Sequence, residues 1–222
     1  MRSKEPLLFD CGAGTLLRLE QAGFSPLEID AAVLSHLHLD HVSDLLALSK
    51  ARWLMGECEI KIFGPEGTED WFSKCQGIYP YLEELDASFH EILPGDEFSA
   101  KGFKITAAEA VHSVTALGYR VEMGSKSAVY SGDTEPVSTI ADISEGADLL
   151  IHECSFPEPF VVTNHTTPRK LGETIHDVDR VVLTHLYPDT IGHEEEMVQD
   201  LKAGLGASAR VEIGKDLQRI KV

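Results

Sequence analysis

The stretch His36-Leu37-His38-Leu39-Asp40-His41 places three imidazoles and one carboxylate within six residues. It directly follows the apolar run Ala31 to Ser35, which is typical of a short buried strand. Metal ligands in α/β enzymes tend to lie in loops at strand ends, where a rigid scaffold holds them. On an extended backbone, side chains repeat every two residues, so His36 and His38 point the same way. Asp40 and His41 can then turn toward a second ion beside the first. The stretch therefore predicts a metal site.

The ligand types restrict which metals we expect. Imidazole and carboxylate suit Zn²⁺, Mn²⁺ or Fe better than an ion that prefers thiolates. The four cysteines are scattered and form no Cys-x-x-Cys pair, so the sequence does not predict a thiolate zinc site. We expect reduced thiols in a reducing compartment. The predicted cofactor is a pair of divalent metal ions, with Zn²⁺ as first choice and Mn²⁺ or Fe as alternatives.

Length and composition predict one soluble α/β domain over residues 1–222, with 43% hydrophobic and 25% charged residues. No apolar run approaches the roughly 18 residues of a membrane span, and the N-terminus lacks the apolar segment of a signal peptide. We therefore expect a cytoplasmic protein with no membrane partner. The formal net charge of −18 argues against broad nucleic-acid binding. It does not exclude a phosphate substrate, because two bound metal ions would add roughly +4 locally.

Short apolar runs alternate with amphipathic segments along the whole chain. Asp44 to Trp53 is predicted as a helix, and Phe98 to Ala108 as a strand. Gly124-Ser125 is a hairpin turn signal, and Arg210 to Ile213 and Gln218 to Val222 are predicted as the last strands. This interleaving favours an α/β architecture with helices outside the sheets.

The same segments resemble the metallo-β-lactamase superfamily over almost the whole chain. The six-residue stretch matches its His-x-His-x-Asp-His motif, and Phe9 to Gly12 resembles the Asp-Cys-Gly segment that precedes it. His112, Ser131 to Thr134 and Leu183 to His185 stand where the superfamily has its remaining metal ligands. The resemblance implies an α/β (α+β) fold, a four-layer αββα sandwich, here with a shortened N-terminus.

The resemblance also implies a ligand set for two metal ions. The first ion would be held by His36, His38 and His112, the second by Asp40, His41 and His185, with Asp133 bridging both. A hydroxide between the ions would be the nucleophile, because metal coordination lowers the pKa of water to around 7. Asp10 would orient a ligand or the loop, unless it is a strand-end turn residue. No motif supports a ligand role for the four histidines His90, His152, His176 and His193.

Two later segments resemble the ribonuclease Z family. Ile151 to Phe156 is similar to its His-Glu-Ala-Thr segment, and Asn164 to Thr167 to its His-Ser-Thr segment. The resemblance implies that Glu153 and His165 form a pair that passes a proton to the leaving oxygen, a step worth about 10²–10⁴ in rate. The catalytic residues would then be Asp40, Glu153 and His165. A structural carboxylate and a surface histidine are the alternatives for the last two.

Three features depart from the ribonuclease Z pattern. Only 20 residues separate His112 from Asp133, too few for the long arm that grips tRNA in that family. The segment after His185, Leu186 to Thr190, lacks the expected Arg. The N-terminus is shorter than the family's, so the first sheet should lack one or two strands. With the negative charge, these departures disfavour tRNA as a partner while leaving it open.

Four functions remain open at this point. We expect a binuclear metal-dependent phosphodiesterase acting on a small molecule or short nucleic acid. A true tRNA 3′-processing endonuclease is the second hypothesis. The others are a lactone, thioester or sulfate ester hydrolase, which would not need the Glu153–His165 pair, and a non-catalytic metal-binding protein. We also expect a homodimer, because a shortened first sheet would leave an exposed edge.

Overall fold

The computed structural model describes residues 5–206 and 209–222. These residues fall into two compact units. The first runs up to Leu93 and includes Ser99–Gly102, and the second comprises Pro94–Phe98 and the described residues from Phe103 onward. Within the described ranges, no helix is both long and apolar enough to cross a bilayer. The single domain expected over residues 1–222 stays a prediction.

The first unit contains a four-stranded parallel sheet whose strands follow chain order. The strands are β1 (Leu8–Phe9), β2 (Ala31–Val33), β3 (Glu59–Gly64) and β4 (Asp86–Glu91). The helices are α1 (Thr15–Gln21), the single turn α2 (Leu39–Val42), α3 (Leu45–Leu54) and α4 (Thr68–Ile78). Parallel neighbours need a crossover connection, and α1, α3 and α4 lie in the three crossovers. Leu34, Leu48 and Phe72 are among the fully buried side chains of this unit's core.

Chain direction brings the first polar cluster to one edge of this sheet. β1 and β2 are parallel, so their carboxyl ends lie side by side. Asp10 directly follows β1, and Ser35 and His36 follow β2 by two and three residues. Ligand sites of parallel sheets form outside the carboxyl ends of the strands.

The second unit contains a seven-stranded sheet of order β11-β10-β9-β8-β7-β6-β5, except that Ser99 and Ala100, the last two residues of β5, are grouped with the first unit. Its strands are β5 (Glu97–Ala100), β6 (Phe103–Ala110), β7 (Ala116–Met123), β8 (Lys126–Tyr130), β9 (Leu149–Glu153), β10 (Arg180–Thr184) and β11 (Arg210–Ile213). The helices are α5 (Ser138–Ser144), α6 (Pro168–Thr174) and α7 (Glu194–Leu205). β8 to β11 are mutually parallel, and β7 is antiparallel to both of its neighbours, β6 and β8.

This topology also gathers polar residues at one edge. Since β6 and β8 are both antiparallel to β7, their carboxyl ends lie at the same edge as those of β9 and β10. His112 follows β6, Asp133 follows β8, Glu153 ends β9 and His185 directly follows β10.

Helices α6 and α7 approach each other through two glycines. A Cβ added to Gly204 would lie 2.6 Å from the carbonyl oxygen of Gly172, a distance that real Cβ atoms do not reach. Leu171 and Leu201 are fully buried beside this crossing. The small residues therefore let the two backbones touch above the sheet.

The structure corrects two of the predicted elements. The single strand expected from Phe98 to Ala108 is wrong, because Lys101 and Gly102 both adopt positive φ and turn the chain between β5 and β6. Gln218 to Val222 forms no strand. The hairpin turn at Gly124-Ser125 and the strand Arg210–Ile213 are confirmed. The 20 residues between His112 and Asp133 are taken up mainly by β7, this turn and β8.

Candidate metal centre

Asp10 connects the two segments of the first unit that carry expected metal ligands. Its buried carboxylate accepts hydrogen bonds from the backbone N–H of Ser35 at 2.7 Å and from the Ser35 hydroxyl at 2.8 Å. It also accepts one from Nδ1–H of His41 at 2.7 Å. The residue adopts a positive φ of 54° directly after β1, a conformation that Asp tolerates better than most residues other than Gly.

These contacts fix the proton positions on two histidines. The Ser35 hydroxyl donates its only hydrogen to Asp10, so it must accept from Nδ1–H of His36, 2.9 Å away. Nδ1 of His41 carries a proton for the same reason, because a carboxylate only accepts. In the neutral tautomers, Nε2 of His36 and of His41 therefore presents a lone pair, the form that binds a metal.

His38 lies beside His36 as the extended backbone predicts. Nε2 of His36 and Nδ1 of His38 are 3.1 Å apart. Two nitrogens at about 2.0–2.1 Å from one tetrahedral Zn²⁺ would be roughly 3.3–3.4 Å apart, so this spacing fits two ligands of one ion. The Asp40 side chain is 62% exposed, and its Oδ2 lies 3.7 Å from Nε2 of His41.

Backbone packing holds α2 in place. Cys11 donates its N–H to the carbonyl oxygen of His41 at 2.7 Å. A Cβ on Gly12 would lie only 1.6 Å from the carbonyl oxygen of Asp40. Only glycine therefore permits the loop after β1 to lie this close to Asp40 and His41.

Asp133 is the buried carboxylate of the second unit's cluster, with 2% of its surface exposed. Its Oδ2 lies 3.3 Å from Nε2 of His185 and 4.0 Å from Nε2 of His112. Nδ1–H of His112 donates to the carbonyl oxygen of Asn164 at 2.7 Å, which again leaves Nε2 with a lone pair. His185 has a positive φ of 53° directly after β10, like Asp10 after β1.

Glu153 is the second buried carboxylate of this unit, 1% exposed. Its Oε2 accepts from the backbone N–H and the hydroxyl of Ser155, at 3.0 and 2.9 Å. Its Oε1 accepts from Nδ1–H of His165 at 3.1 Å. The Ser155 hydroxyl, having donated, accepts from Nδ1–H of His185 at 3.0 Å. Nε2 of His185 therefore also presents a lone pair, toward Asp133.

The donor set fits divalent metal ions. Four imidazoles, those of His36, His41, His112 and His185, have Nδ1 engaged, so the nitrogen that would bind a metal is Nε2 in each case. In the second unit, ligand atoms of His112, Asp133 and His165 lie within 4.8 Å of one another. The same holds for Glu153, His165 and His185. Such groups of carboxylate and imidazole are the ligands that Zn²⁺, Mn²⁺ and Fe accept.

Two buried cysteines, Cys11 and Cys154, lie next to Asp10 and Glu153 in the chain but belong to none of the ligand groups found among the described residues. Burial, with the charges of Asp44 and Asp10, raises the pKa of the Cys11 thiol to about 12. Burial also raises the pKa of Cys154, with a further contribution from the Glu153 charge. Both thiols are therefore protonated near neutral pH in the metal-free protein.

The four histidines without motif support lie outside these groups. His90 stacks on Phe63 with ring centroids 4.7 Å apart. Burial lowers the pKa of His152, whose Nδ1–H donates to the backbone carbonyl of Glu153. His176 and His193 are exposed.

Sequence reasoning missed the hydroxyls that orient these ligands. Ser35 and Ser155 each link a buried carboxylate to a histidine, and the hydroxyl of Tyr187 lies 3.3 Å from Nε2 of His165. The available signal was a serine next to a predicted functional residue, in Ser35-His36 and in Glu153-Cys154-Ser155.

The family follows from comparison with known proteins. The profile of the β-lactamase superfamily domain matches residues 6–186. The chain belongs to this superfamily. The ribonuclease Z of Mycobacterium sp. (strain KMS) is 28% identical to it, over 97% of this chain and 85% of that protein.

Solved structures agree. The metallo-β-lactamase fold protein YhfI from Bacillus subtilis superposes with a TM-score of 0.81 at 27% identity, covering 95% of this chain and 84% of that one. The short form of human tRNase Z gives a TM-score of 0.76 at 21% identity, covering 100% and 90%. The predicted metallo-β-lactamase fold is thereby confirmed. The chain is a metal-dependent hydrolase with ribonuclease Z relatives.

Proposed function

We propose that this hydrolase is a phosphodiesterase with two divalent metal ions and a Glu153–His165 pair that handles the proton of the leaving oxygen. The observation that carries the proposal is the contact between Nδ1–H of His165 and the buried carboxylate of Glu153. A buried carboxylate that accepts from one ring nitrogen fixes the tautomer and leaves the other ring nitrogen to transfer a proton.

The proposed ligands are those expected from the superfamily: His36, His38, Asp40, His41, His112, Asp133 and His185. The fixed lone pairs on four of these imidazoles support the assignment. Divalent ions bound there would supply a Lewis acid for the phosphate and lower the pKa of coordinated water. Zn²⁺ is the proposed metal because neutral imidazoles dominate the set, and Mn²⁺ and Fe are its alternatives.

The chain's own contribution is orientation and proton transfer. Glu153 accepts from His165, from the backbone N–H of Thr134 and from both polar groups of Ser155, so four hydrogen bonds fix its position. An alkoxide leaving group needs a proton as the P–O bond breaks, and His165 in its protonated form would donate it from Nε2. The thiolate of a thioester leaves readily without a proton, so the pair favours a phosphodiester over a thioester.

Leaving-group dependence tests this role. In metal-loaded protein, His165→Ala should slow hydrolysis of a dinucleotide by roughly 10²–10⁴. It should slow hydrolysis of bis-p-nitrophenyl phosphate much less, because p-nitrophenolate leaves without a proton. His193→Ala, at an exposed histidine outside the clusters, is the matched control. Equal losses on both substrates would exclude His165 as the proton donor.

Metal dependence tests the hydrolase itself. His38→Ala should lower the metal content measured by plasma emission spectroscopy and abolish cleavage of bis-p-nitrophenyl phosphate. If the His38→Ala protein cleaved the substrate as fast as the wild-type protein, the cleavage would come from a contaminant. The proposal would then be abandoned. A metal content below one ion per chain in active protein would also contradict it.

A tRNA 3′-processing endonuclease is the second candidate. It is favoured by the ribonuclease Z relatives, which this chain matches over most of their length. Incubation with a 3′-extended precursor tRNA tests this candidate, and a cut next to the discriminator base would support it. If the protein cleaved a dinucleotide but left the precursor uncut, the candidate would be excluded. The homodimer and the cytoplasmic location stay predictions, the first to be measured by light scattering after size exclusion.

A further inference from the structure

Three aromatic rings lie together beside the proposed proton donor. Phe156 and Phe160 belong to the segment that joins β9 to α6, and Tyr187 follows His185 by two residues. The ring centroid of Phe156 lies 4.9 Å from that of Tyr187 and 5.5 Å from that of Phe160. Both distances are typical of interacting aromatic pairs. We call Phe156, Phe160 and Tyr187 the aromatic platform.

The aromatic platform is continuous with His165. The ring of Tyr187 lies 5.2 Å from that of His165, and the ring of Phe156 lies 6.2 Å from it. The Tyr187 hydroxyl is 3.3 Å from Nε2, the nitrogen proposed to protonate the leaving oxygen. A group attached to the phosphate and extending past His165 would therefore meet these rings first.

The outer part of the aromatic platform is exposed to solvent. Phe160 is 44% exposed and the adjacent Val161 99% exposed. Exposed aromatic rings next to a reaction centre are suited to planar ligands, because stacking on a ring face tolerates any planar π system. A sugar would need hydrogen-bond donors and acceptors, and the rings of Phe156 and Phe160 offer none.

We propose that the aromatic platform is a stacking subsite for a nucleobase next to the scissile phosphate, with Phe160 as its specificity-determining residue. The inference rests on the proposed phosphodiesterase function and narrows its substrates to phosphodiesters that carry a base. The order of the parts along the surface supports it: the phosphate would lie at the metal ligands, His165 beside the leaving oxygen, and the base on the rings.

Binding can be measured without turnover. Isothermal titration calorimetry on the Zn²⁺-loaded chain would compare adenosine 5′-monophosphate with ribose 5-phosphate, which differ only by the base. We expect the nucleotide to bind roughly 5- to 150-fold more tightly, the range given by stacking one base. Equal affinities in the wild-type chain would overturn the proposal.

Variants of Phe160 separate stacking from apolar contact. Phe160→Ala and Phe160→Leu should both remove most of the nucleotide's advantage and leave ribose 5-phosphate binding unchanged. Phe160→Trp, which keeps a ring, should retain it. Tyr79→Ala is the control, since Tyr79 is a 46% exposed aromatic residue of the first unit. If Phe160→Leu binds the nucleotide as tightly as wild type, stacking is excluded.

Two further measurements keep this inference apart from the proposed function. Metal-dependent hydrolysis of methyl p-nitrophenyl phosphate, which has no base, tests the phosphodiesterase alone. If this ester is untouched while Phe160→Ala still weakens nucleotide binding, the function fails and the subsite stands. Sedimentation velocity tests whether a second copy of the chain, rather than a base, covers the aromatic platform. If Phe160→Ala changed the protein from dimer to monomer and left its nucleotide affinity unaltered, the proposed subsite would be overturned.

Discussion

At the scale of single residues, one arrangement occurs twice in this protein. In the first unit, Asp10 holds His41 directly and His36 through the Ser35 hydroxyl. In the second, Glu153 holds His165 directly and His185 through the hydroxyl of Ser155. In each case the buried carboxylate only accepts, so the serine hydroxyl that donates to it is left to accept from the second imidazole. Second partners of this kind raise ligand basicity and set the ring orientation.

The first prediction concerns Asp10→Asn. Three donors converge on this carboxylate, and an amide can replace only one oxygen as an acceptor. An amide NH₂ facing His41 would force the proton onto Nε2, where it blocks a metal. An NH₂ facing the Ser35 backbone would place two buried donors, this NH₂ and the Ser35 N–H, against each other with no acceptor between them. We expect metal affinity to fall roughly 10- to 100-fold, measured by competition with a chromophoric chelator.

Asp70→Asn provides the matched control for this experiment. Asp70 forms an exposed ion pair with Lys74 within α4, an interaction worth little to stability. Its variant should bind metal as the wild type does. Unchanged metal affinity in Asp10→Asn would show that the buried carboxylate does not set the imidazole tautomers.

At the scale of elements, the crossing of α6 and α7 gives the second prediction. Gly204→Ala places a methyl group 2.6 Å from the backbone of Gly172, so the helices must separate. We expect a loss of about 1–3 kcal/mol in the free energy of unfolding, as for other overpacked contacts. Urea denaturation followed by circular dichroism measures it.

The same substitution at Gly77 should change the free energy of unfolding in the opposite direction. Gly77 lies in α4, and a Cβ there would meet nothing within 4 Å. Alanine restricts the unfolded chain and favours the helix, so Gly77→Ala should stabilise the protein by about 0.5–1 kcal/mol. If Gly204→Ala left the urea midpoint at the wild-type value, the close approach of α6 and α7 would not be a stability determinant.

The elements also show what the sequence could predict. The proposed ligands His36, Asp133 and His185 stand out in the sequence because each is a polar residue that follows an apolar strand. β4 was missed because its residues Asp86–Glu91 are half-buried or exposed and lack strict alternation. The turn at Lys101-Gly102 was missed because left-handed backbone at Lys101 depends on tertiary context, and only the glycine signals it.

The hydroxyl of Ser155 illustrates a different limit. Serine is common at strand ends, and nothing in its spacing indicates which neighbours it contacts. Its partners, Glu153 and His185, are 32 residues apart along the chain and come together because β9 and β10 pair in parallel. Residue types can therefore predict a metal site, whereas the hydrogen-bond order around it emerges only from the folded sheet.

At the scale of the whole molecule, the 37 acidic residues outnumber the 19 Lys and Arg residues, which gives the net charge of −18. Affinity for nucleic-acid backbones comes largely from cations that displace counterions. A phosphodiester bound mainly by metal ions and by stacking needs few such contacts. We therefore predict that the net charge and the proposed stacking subsite favour the same small substrates, for different physical reasons.

The salt dependence of binding gives the third prediction. A protein that makes 6–10 phosphate contacts loses roughly 10³–10⁵ in affinity between 50 and 200 mM salt. For metal-loaded His165→Ala protein, which should bind without cutting, we expect the affinity for a dinucleotide to change less than about tenfold over this range. Fluorescence anisotropy on labelled ligands, with a 3′-extended precursor tRNA in parallel, measures both slopes. A steep slope together with tight binding of the precursor would mean that Lys and Arg side chains form a local basic surface despite the net charge, and the tRNA endonuclease would then become the leading function.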